Sequence, residues 1–238
     1  MNKKNVIVLG ILAVIIIGGI YWWQKPDGIV LRDDLPPAPN GYDTIQKNEQ
    51  TIRELSEERQ AQYDKEFKNI LEKIQEHPDS LAAWTNLGSV KHAFGDYAGA
   101  EEIWLYATKL SPADSRSYLN LGDLYWNKLK DYPQAEWAYR SAIERDKSLV
   151  SAYRDLASLY RFSYVEKKAD AFSVLEEGIE NNAESAIELL ALGGLWAMED
   201  GNVDLAIAYY EEYIKLNPEN AAAKKDLEEL RLRAKNGS

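Results

Sequence analysis

The chain of 238 residues has no cysteine and only two histidines. The first absence excludes disulfides, thiolate metal ligands and thiol nucleophiles, and it leaves the redox compartment open because a cysteine-free protein works in either. His77 stands beside a turn proline and His92 stands apart from it. Neither has a second histidine or a cysteine three or four residues away, so no metal site is expected. The chain also lacks a glycine-rich phosphate loop, a Ser/His/Asp set and a G-x-S-x-G turn. The expectation is a non-enzyme with no catalytic residues and no cofactor. Cations are in deficit as well, with 28 Lys and Arg against 39 Asp and Glu. Taking Lys3, Lys4 and Lys25 away from the formal net charge of −11 leaves −14 on residues 26–238, which repels phosphate and argues against nucleic acid as a partner.

What is present supports a folded domain with appendages. At 45% hydrophobic and 28% charged residues the chain has enough apolar material for a sizeable core. Residues 1–5 form a short, lysine-bearing N-terminus. Residues 6–23 follow with no charge, eighteen positions long, ending in Tyr21-Trp22-Trp23. That length suits one bilayer crossing, and the aromatics suit the interface beyond it. A cleaved signal peptide is the alternative, but the run exceeds a usual apolar core and no A-x-A site follows. Lys3 and Lys4 bias the N-terminus to the cytoplasm, which would place the rest of the chain outside as a single-pass, extracytoplasmic protein.

Residues 24–42 read as a proline-rich linker, with Pro26, Pro36, Pro37 and Pro39 stiffening it into an extended spacer. Residues 43–80 read as a helical lead-in or degenerate repeat. Asp43 with Gln46 forms a candidate capping box, His77-Pro78 ends the helix, and the polar stretch 56–62 is a candidate break. The apolar positions do not sustain the three heptads a coiled coil needs.

From residue 81 the pattern repeats. Trp84, Tyr118, Tyr153 and Leu190 recur at intervals of 34, 35 and 37 residues, and Ala100, Ala135, Ala171 and Ala206 are each followed four positions later by Trp104, Tyr139, Leu175 and Tyr210. A four-residue step keeps alanine and bulky partner on one helix face. Within the first copy Trp84-x2-Leu87-Gly88, Ala100-x3-Trp104 and Pro112 stand as in the tetratricopeptide motif. The chain therefore resembles the tetratricopeptide repeat family, and the resemblance implies an all-α fold, an α-solenoid of helix hairpins. The copies fall at residues 81–114, 115–149, 150–186 and 187–220, with a polar capping helix and tail at 221–238. Departures are local: Lys91 replaces an aromatic, Gly193-Gly194 replaces Leu-Gly and is expected to kink or weaken the fourth hairpin, and extra residues near Lys130 and Lys168 lengthen two turns.

The resemblance also implies a protein or peptide partner, held on the face made by the first helix of each hairpin. Here that face carries Arg116, Leu119, Asp123 and Trp126, then Ser151, Arg154, Ser158 and Arg161. Leu119 and Trp126 are apolar residues on a face that should meet water, and tryptophan beside arginine suits peptide capture. Packing of Trp126 on the neighbouring hairpin is the alternative. A carboxylate clamp of the family's chaperone-tail kind is not expected, because only Asn120 matches and Thr85, Ser89, Ser151 and Asp155 occupy the other positions. The adjacent acids Glu101-Glu102, Glu176-Glu177, Glu211-Glu212 and Glu228-Glu229 diverge by about 100° on a helix and read as solvated faces. These features point to a membrane-anchored scaffold outside the cytoplasm. A cytosol-facing receptor and a non-catalytic subunit of an envelope enzyme complex are the alternatives, and the partner and the oligomeric state stay open.

Overall fold

A computed structural model describes residues 35–236 of the chain; the apolar stretch at residues 6–23 lies outside them. Among the described residues there are eleven α-helices and no strand, and no helix is long and apolar enough to cross a membrane. Two compact units divide the chain after Ala113.

The first unit contains α1 (Glu49–Glu54), α2 (Glu57–Glu76), α3 (Leu81–Ala93) and α4 (Tyr97–Leu110). Side-chain caps explain where these helices begin. Asn48, Ser56, Ser80 and Asp96 each accept a hydrogen bond from the backbone N–H three residues on, which satisfies one of the donors a helix start leaves orphaned. The lead-in thus differs from a helix beginning at Asp43. Residues 43–48 are extended or turned, and the break falls at Leu55-Ser56, where Ser56 starts the next helix. Ile70 and Ile74 of α2 join Trp84, Leu87, Phe94, Ile103 and Tyr106 in one core.

The described part of the proline-rich stretch is not a free spacer. Leu35, Tyr42 and Ile45 pack against that same core. Tyr42 meets the Trp84 ring at 5.1 Å, and Tyr106 donates its hydroxyl proton to the Pro36 carbonyl at 3.1 Å. The departure at Lys91 belongs to this packing. Its side chain is only 3% exposed, its ammonium donates to the Thr44 carbonyl, and it pairs with Asp96 Oδ2 at 3.1 Å. Asp96 in turn accepts the Gln46 N–H at 3.3 Å and caps α4 through Gly99. Where the repeat pattern asks for an aromatic, a lysine therefore reaches past the hairpin to fasten residues 35–48. Gly95, at φ +77°, makes the approach possible: a Cβ there would stand 2.6 Å from the Asn48 Cβ.

The second unit runs from α5 (Ser115–Leu124) through a π-type turn (Tyr125–Leu129), α6 (Tyr132–Arg145), α7 (Val150–Phe162), a 3-10 stretch (Val165–Asp170), α8 (Ala171–Asn181), α9 (Ile187–Glu199) and α10 (Val203–Leu216) to α11 (Ala221–Asn236). Antiparallel partners are α5 with α6, α7 with α8, and α9 with α10, while α11 rests on α10 through Leu227 and Leu230. The repeat signature acts inside each hairpin. A Cβ on Gly122 would meet the Tyr139 ring at 2.5 Å, as one on Gly88 would meet Trp104 at 2.4 Å in the first unit. The aromatic fills the space over its own hairpin's glycine, not the space awaiting the next hairpin.

The same packing corrects the expectation for the fourth hairpin. Helix α9 continues through Gly193 and Gly194, and the two glycines seat Tyr209 and Tyr210, whose rings a Cβ would meet at 2.5 and 2.9 Å. The extra residue near Lys130 is absorbed as one wide helical turn closed by Lys130 at φ +58°. Glycines take the left-handed turn in the first and fourth hairpins, Gly95 at φ +77° and Gly201 at φ +72°.

Two stability outcomes are expected. Lys91→Ala leaves Asp96 buried without its cation and should cost about 3–5 kcal/mol in denaturant unfolding, whereas Arg53→Ala, in an ion pair open to water, should barely move the midpoint. Lys130→Gly removes a left-handed strain of about 1–2 kcal/mol against the added freedom of the unfolded chain, so it should raise stability by roughly 0.5–1 kcal/mol.

Candidate functional site

The candidate surface is the face shared by α5, α7 and α9, the first helices of the hairpins in the second unit. Ridge packing keeps Tyr118, Leu121, Tyr125, Tyr153, Leu156 and Tyr160 buried. The opposite positions carry the groove residues. Arg116 is exposed, while Leu119, Ser151 and Ser158 are half-buried.

Trp126 is half-buried. Its indole N–H donates to Ser163 Oγ at 2.8 Å, and its ring lies edge-on to Tyr139 with centroids 6.4 Å apart. It thereby bridges the π-type turn of one hairpin to the end of α7 in the next. Trp126 and Leu119 are both only half-buried, so part of the ring stays open despite that contact.

The arginines are committed within the protein. Arg154 pairs with Asp155 at 2.7 Å and with Glu188 of α9 at 2.9 Å. The hydrogen bond it donates to Asp155 is the foremost reason its guanidinium is held above its usual pKa, and Glu188 adds to it. Arg161 is more enclosed, its side chain 7% exposed. It reaches Glu199 at 2.9 Å and Asp200 at 3.0 Å, and it lies over the Trp196 ring at 4.9 Å. Asp200 is held below the ordinary carboxylate range by that hydrogen bond. The acids Glu188, Glu199 and Asp200 were not among the residues expected from the sequence. A signal for the first was present, since Glu188 stands 34 residues after Arg154, one repeat period on.

Asp123 accepts the Tyr139 hydroxyl proton at 2.7 Å. Loss of water around its carboxylate pushes its pKa up, against the lowering pull of that hydrogen bond and of Arg154. Asp155 is raised for the same leading reason. The Tyr139 hydroxyl is raised chiefly by desolvation and further by Asp123, so it stays protonated and serves as a donor. The face therefore offers apolar edges at Leu119 and Trp126, neutralised arginines and a few desolvated acids. It has no concentrated positive field with which to hold a carboxylate or phosphate.

The tetratricopeptide repeat model matches residues 85–150 and 156–221, more than half the chain, and the protein belongs to that family. Among solved structures it is similar to MamA, at 18% identity and a TM-score of 0.54, covering 68% of this chain and 93% of that one. It is similar to YrrB, a tetratricopeptide protein with an unusual peptide-binding site, at 17% identity and a TM-score of 0.50 over 70% of this chain and 84% of that one. MamA residues 41 to the end from Desulfovibrio magneticus RS-1 give 15% identity and a TM-score of 0.51 over 74% and 99% of the two chains. Likeness at this identity establishes a common fold. No curated protein sequence matches the chain.

A pH test follows from Asp123. Its raised pKa means that folding at neutral pH carries a cost which disappears as the carboxyl protonates, so the group favours the folded state below its unfolded pKa and loses that contribution as pH rises through the folded value. Asp123→Asn keeps an oxygen for Tyr139 and removes the charge. Asp123 is exposed, so water screens its charge and the effect is small: the variant should match or slightly exceed the parent in urea unfolding at neutral pH, and any difference should shrink at about pH 3, below the ordinary carboxylate range.

Proposed function

We propose that the protein is a non-catalytic, membrane-anchored scaffold that holds a protein or peptide partner on the first-helix face of its second unit, outside the cytoplasm. Family membership supports the scaffold role, because tetratricopeptide hairpins present extended surfaces to partners. The observation that carries the choice of face is Trp126, whose indole is fixed by Ser163 and half open beside Leu119. A ring already held in place loses little freedom when a ligand covers it, which favours an apolar peptide contact there. Arg154 and Arg161 act less as ligand cations than as props that keep α7 and α9 in register, with Arg116 the cation open to a partner.

The anchor and the topology rest on residues 6–23 and on Lys3 and Lys4. An uncharged stretch of bilayer length, with Lys3 and Lys4 before it and Lys25 and Arg32 after it, supports a reading in which the repeats lie on the far side of a membrane.

The test combines co-purification with topology. Trp126→Phe keeps the ring and loses the hydrogen bond, whereas Trp126→Ala loses both. Recovery of partners from detergent extracts should persist in the first and fall at least about tenfold in the second, an effect of roughly 1.4 kcal/mol at a binding hot spot. Equal recovery by both would remove the face from consideration. Protease added to intact cells, with any outer membrane permeabilised, should digest the repeats, and full protection would reverse the orientation.

A further inference from the structure

A second surface of the second unit carries a feature unrelated to the first-helix face. Between α8 and α10 lies a cavity of about 270 Å³, floored by Ile179, Leu190 and Leu205 and walled by Glu176, Glu180 and Glu212. Glu212 is paired with Lys215, three residues on. Glu176 and Glu180 form no ion pair among the described residues and stand exposed at the rim. Tyr209 also lines the cavity, and its hydroxyl is the one buried side-chain polar atom among the described residues with no hydrogen-bond partner. The ring is 6% exposed and seated on Gly193 and against Phe172, so it cannot simply swing to water.

A buried hydroxyl left without a partner costs free energy that a bound donor would recover. The other tyrosines of this unit show what the fold usually does. Tyr139 donates to Asp123, Tyr160 donates to Glu136, and Tyr213 accepts from Asn217 and Asn220. Tyr209 has no such neighbour, while the charge of Glu176 acts on its hydroxyl and, with burial, keeps it protonated. The cavity is smaller than the roughly 300–1,000 Å³ of ordinary small-molecule sites, so it suits one side chain better than a cofactor. Its chemistry is an apolar floor beneath acids and an unsatisfied oxygen. That complements a cation on an aliphatic stem, the build of arginine and lysine.

We propose that the cavity between α8 and α10 receives a basic side chain from a partner protein, its stem on Ile179 and Leu205 and its cation donating to Glu176, Glu180 and the Tyr209 hydroxyl. The net charge of −11 draws basic segments toward the chain, and the cavity gives such a segment a defined seat. This site is separate from the Trp126 face, so either can fail without the other.

The experiment uses the full-length chain in detergent micelles and three blocked pentapeptides, four alanines around a central arginine, lysine or glutamine. Binding is read by chemical-shift changes of Ile179 and Tyr209. The arginine or the lysine peptide should saturate, and the glutamine peptide should not. The double variant Glu176→Gln, Glu180→Gln changes only exposed positions and should melt like the parent, yet weaken the cationic peptide at least about tenfold, or 1.4 kcal/mol. Tyr209→Phe, which deletes an orphaned hydroxyl, should be no less stable while binding a few-fold more weakly. Trp126→Ala should leave the affinity unchanged. Saturation by arginine alone would assign the site to a guanidinium, and by lysine alone to an ammonium. The proposal is overturned if no cationic peptide saturates, if glutamine binds as well, if the double variant binds like the parent, or if Trp126→Ala abolishes binding.

Discussion

Three of the four hairpins of this protein depend on a large ring set directly on a glycine; the third has Ala157 and Leu175 at the matching positions. Trp104 on Gly88, Tyr139 on Gly122 and Tyr210 on Gly194 bring the two helices of a hairpin closer than any side chain at the glycine position would permit. The polar tips of two of these rings finish the contact. Trp104 donates to the Thr85 carbonyl at 3.1 Å and Tyr139 to Asp123 at 2.7 Å, so the ring that closes the interior also ties down a residue on the first helix. Core packing and the chemistry of the candidate face are thus linked through the same side chains. Tyr139 closes the interior with its ring and donates to Asp123, which is itself exposed.

A hairpin of this kind leaves an apolar side that a neighbour has to cover. In the second unit the next hairpin supplies the cover, and α11 ends the series with Ala223, Leu227 and Leu230 turned inward. The first unit uses a less regular device. Helix α2 covers one part of the α3–α4 hairpin, and the extended residues 35–48 cover another, fastened by Lys91 and Asp96. A buried ion pair contributes little net stability compared with an apolar pair of the same shape. Its value here is in specifying one arrangement, since only a chain that brings a carbonyl and an N–H to Thr44 and Gln46 satisfies both charges.

Much of this was legible in the residues. The recurring alanine-plus-bulky step puts Trp104 and Tyr139 on their hairpins, but the glycine seats beneath them show only in the packing, and the caps fall at Ser80, Asp96, Asp114 and Asp131 where only Asp43 was expected as one. Lys91 was visible as an exception, but its reason was not, because the Thr44 carbonyl lies 47 residues away and no local period connects them. Gly193 and Gly194 looked like a flaw when weighed by helix propensity. Helix α9 nevertheless runs on through both, and Tyr209 and Tyr210 sit where a side chain at either position would stand. On the candidate face, periodicity set Trp126 apart from the core stripe, with packing on the next hairpin as the alternative, and the bond to Ser163 shows that this contact with the next hairpin exists. The arginines looked available because Glu188, Glu199 and Asp200 lie within and just after α9, one repeat further along, although Asp155 stands next to Arg154 in the sequence.

The fastening of residues 35–48 also sets a leash. If the chain is held in a bilayer through residues 6–23, twelve residue steps separate Trp23 from Leu35, and a chain spans at most about 3.6 Å per step. The first hairpin then cannot stray beyond about 40 Å from the membrane surface. Any pull along that leash would enter the fold at the Pro36 carbonyl and Tyr42 before it reached a helix. Load would pass to Tyr106, Trp84 and the Lys91–Asp96 pair, spread sideways across two helices instead of peeling one from its end. A tether received in this way would act on the first unit as a bracket, loading its core from the side and not a helix end.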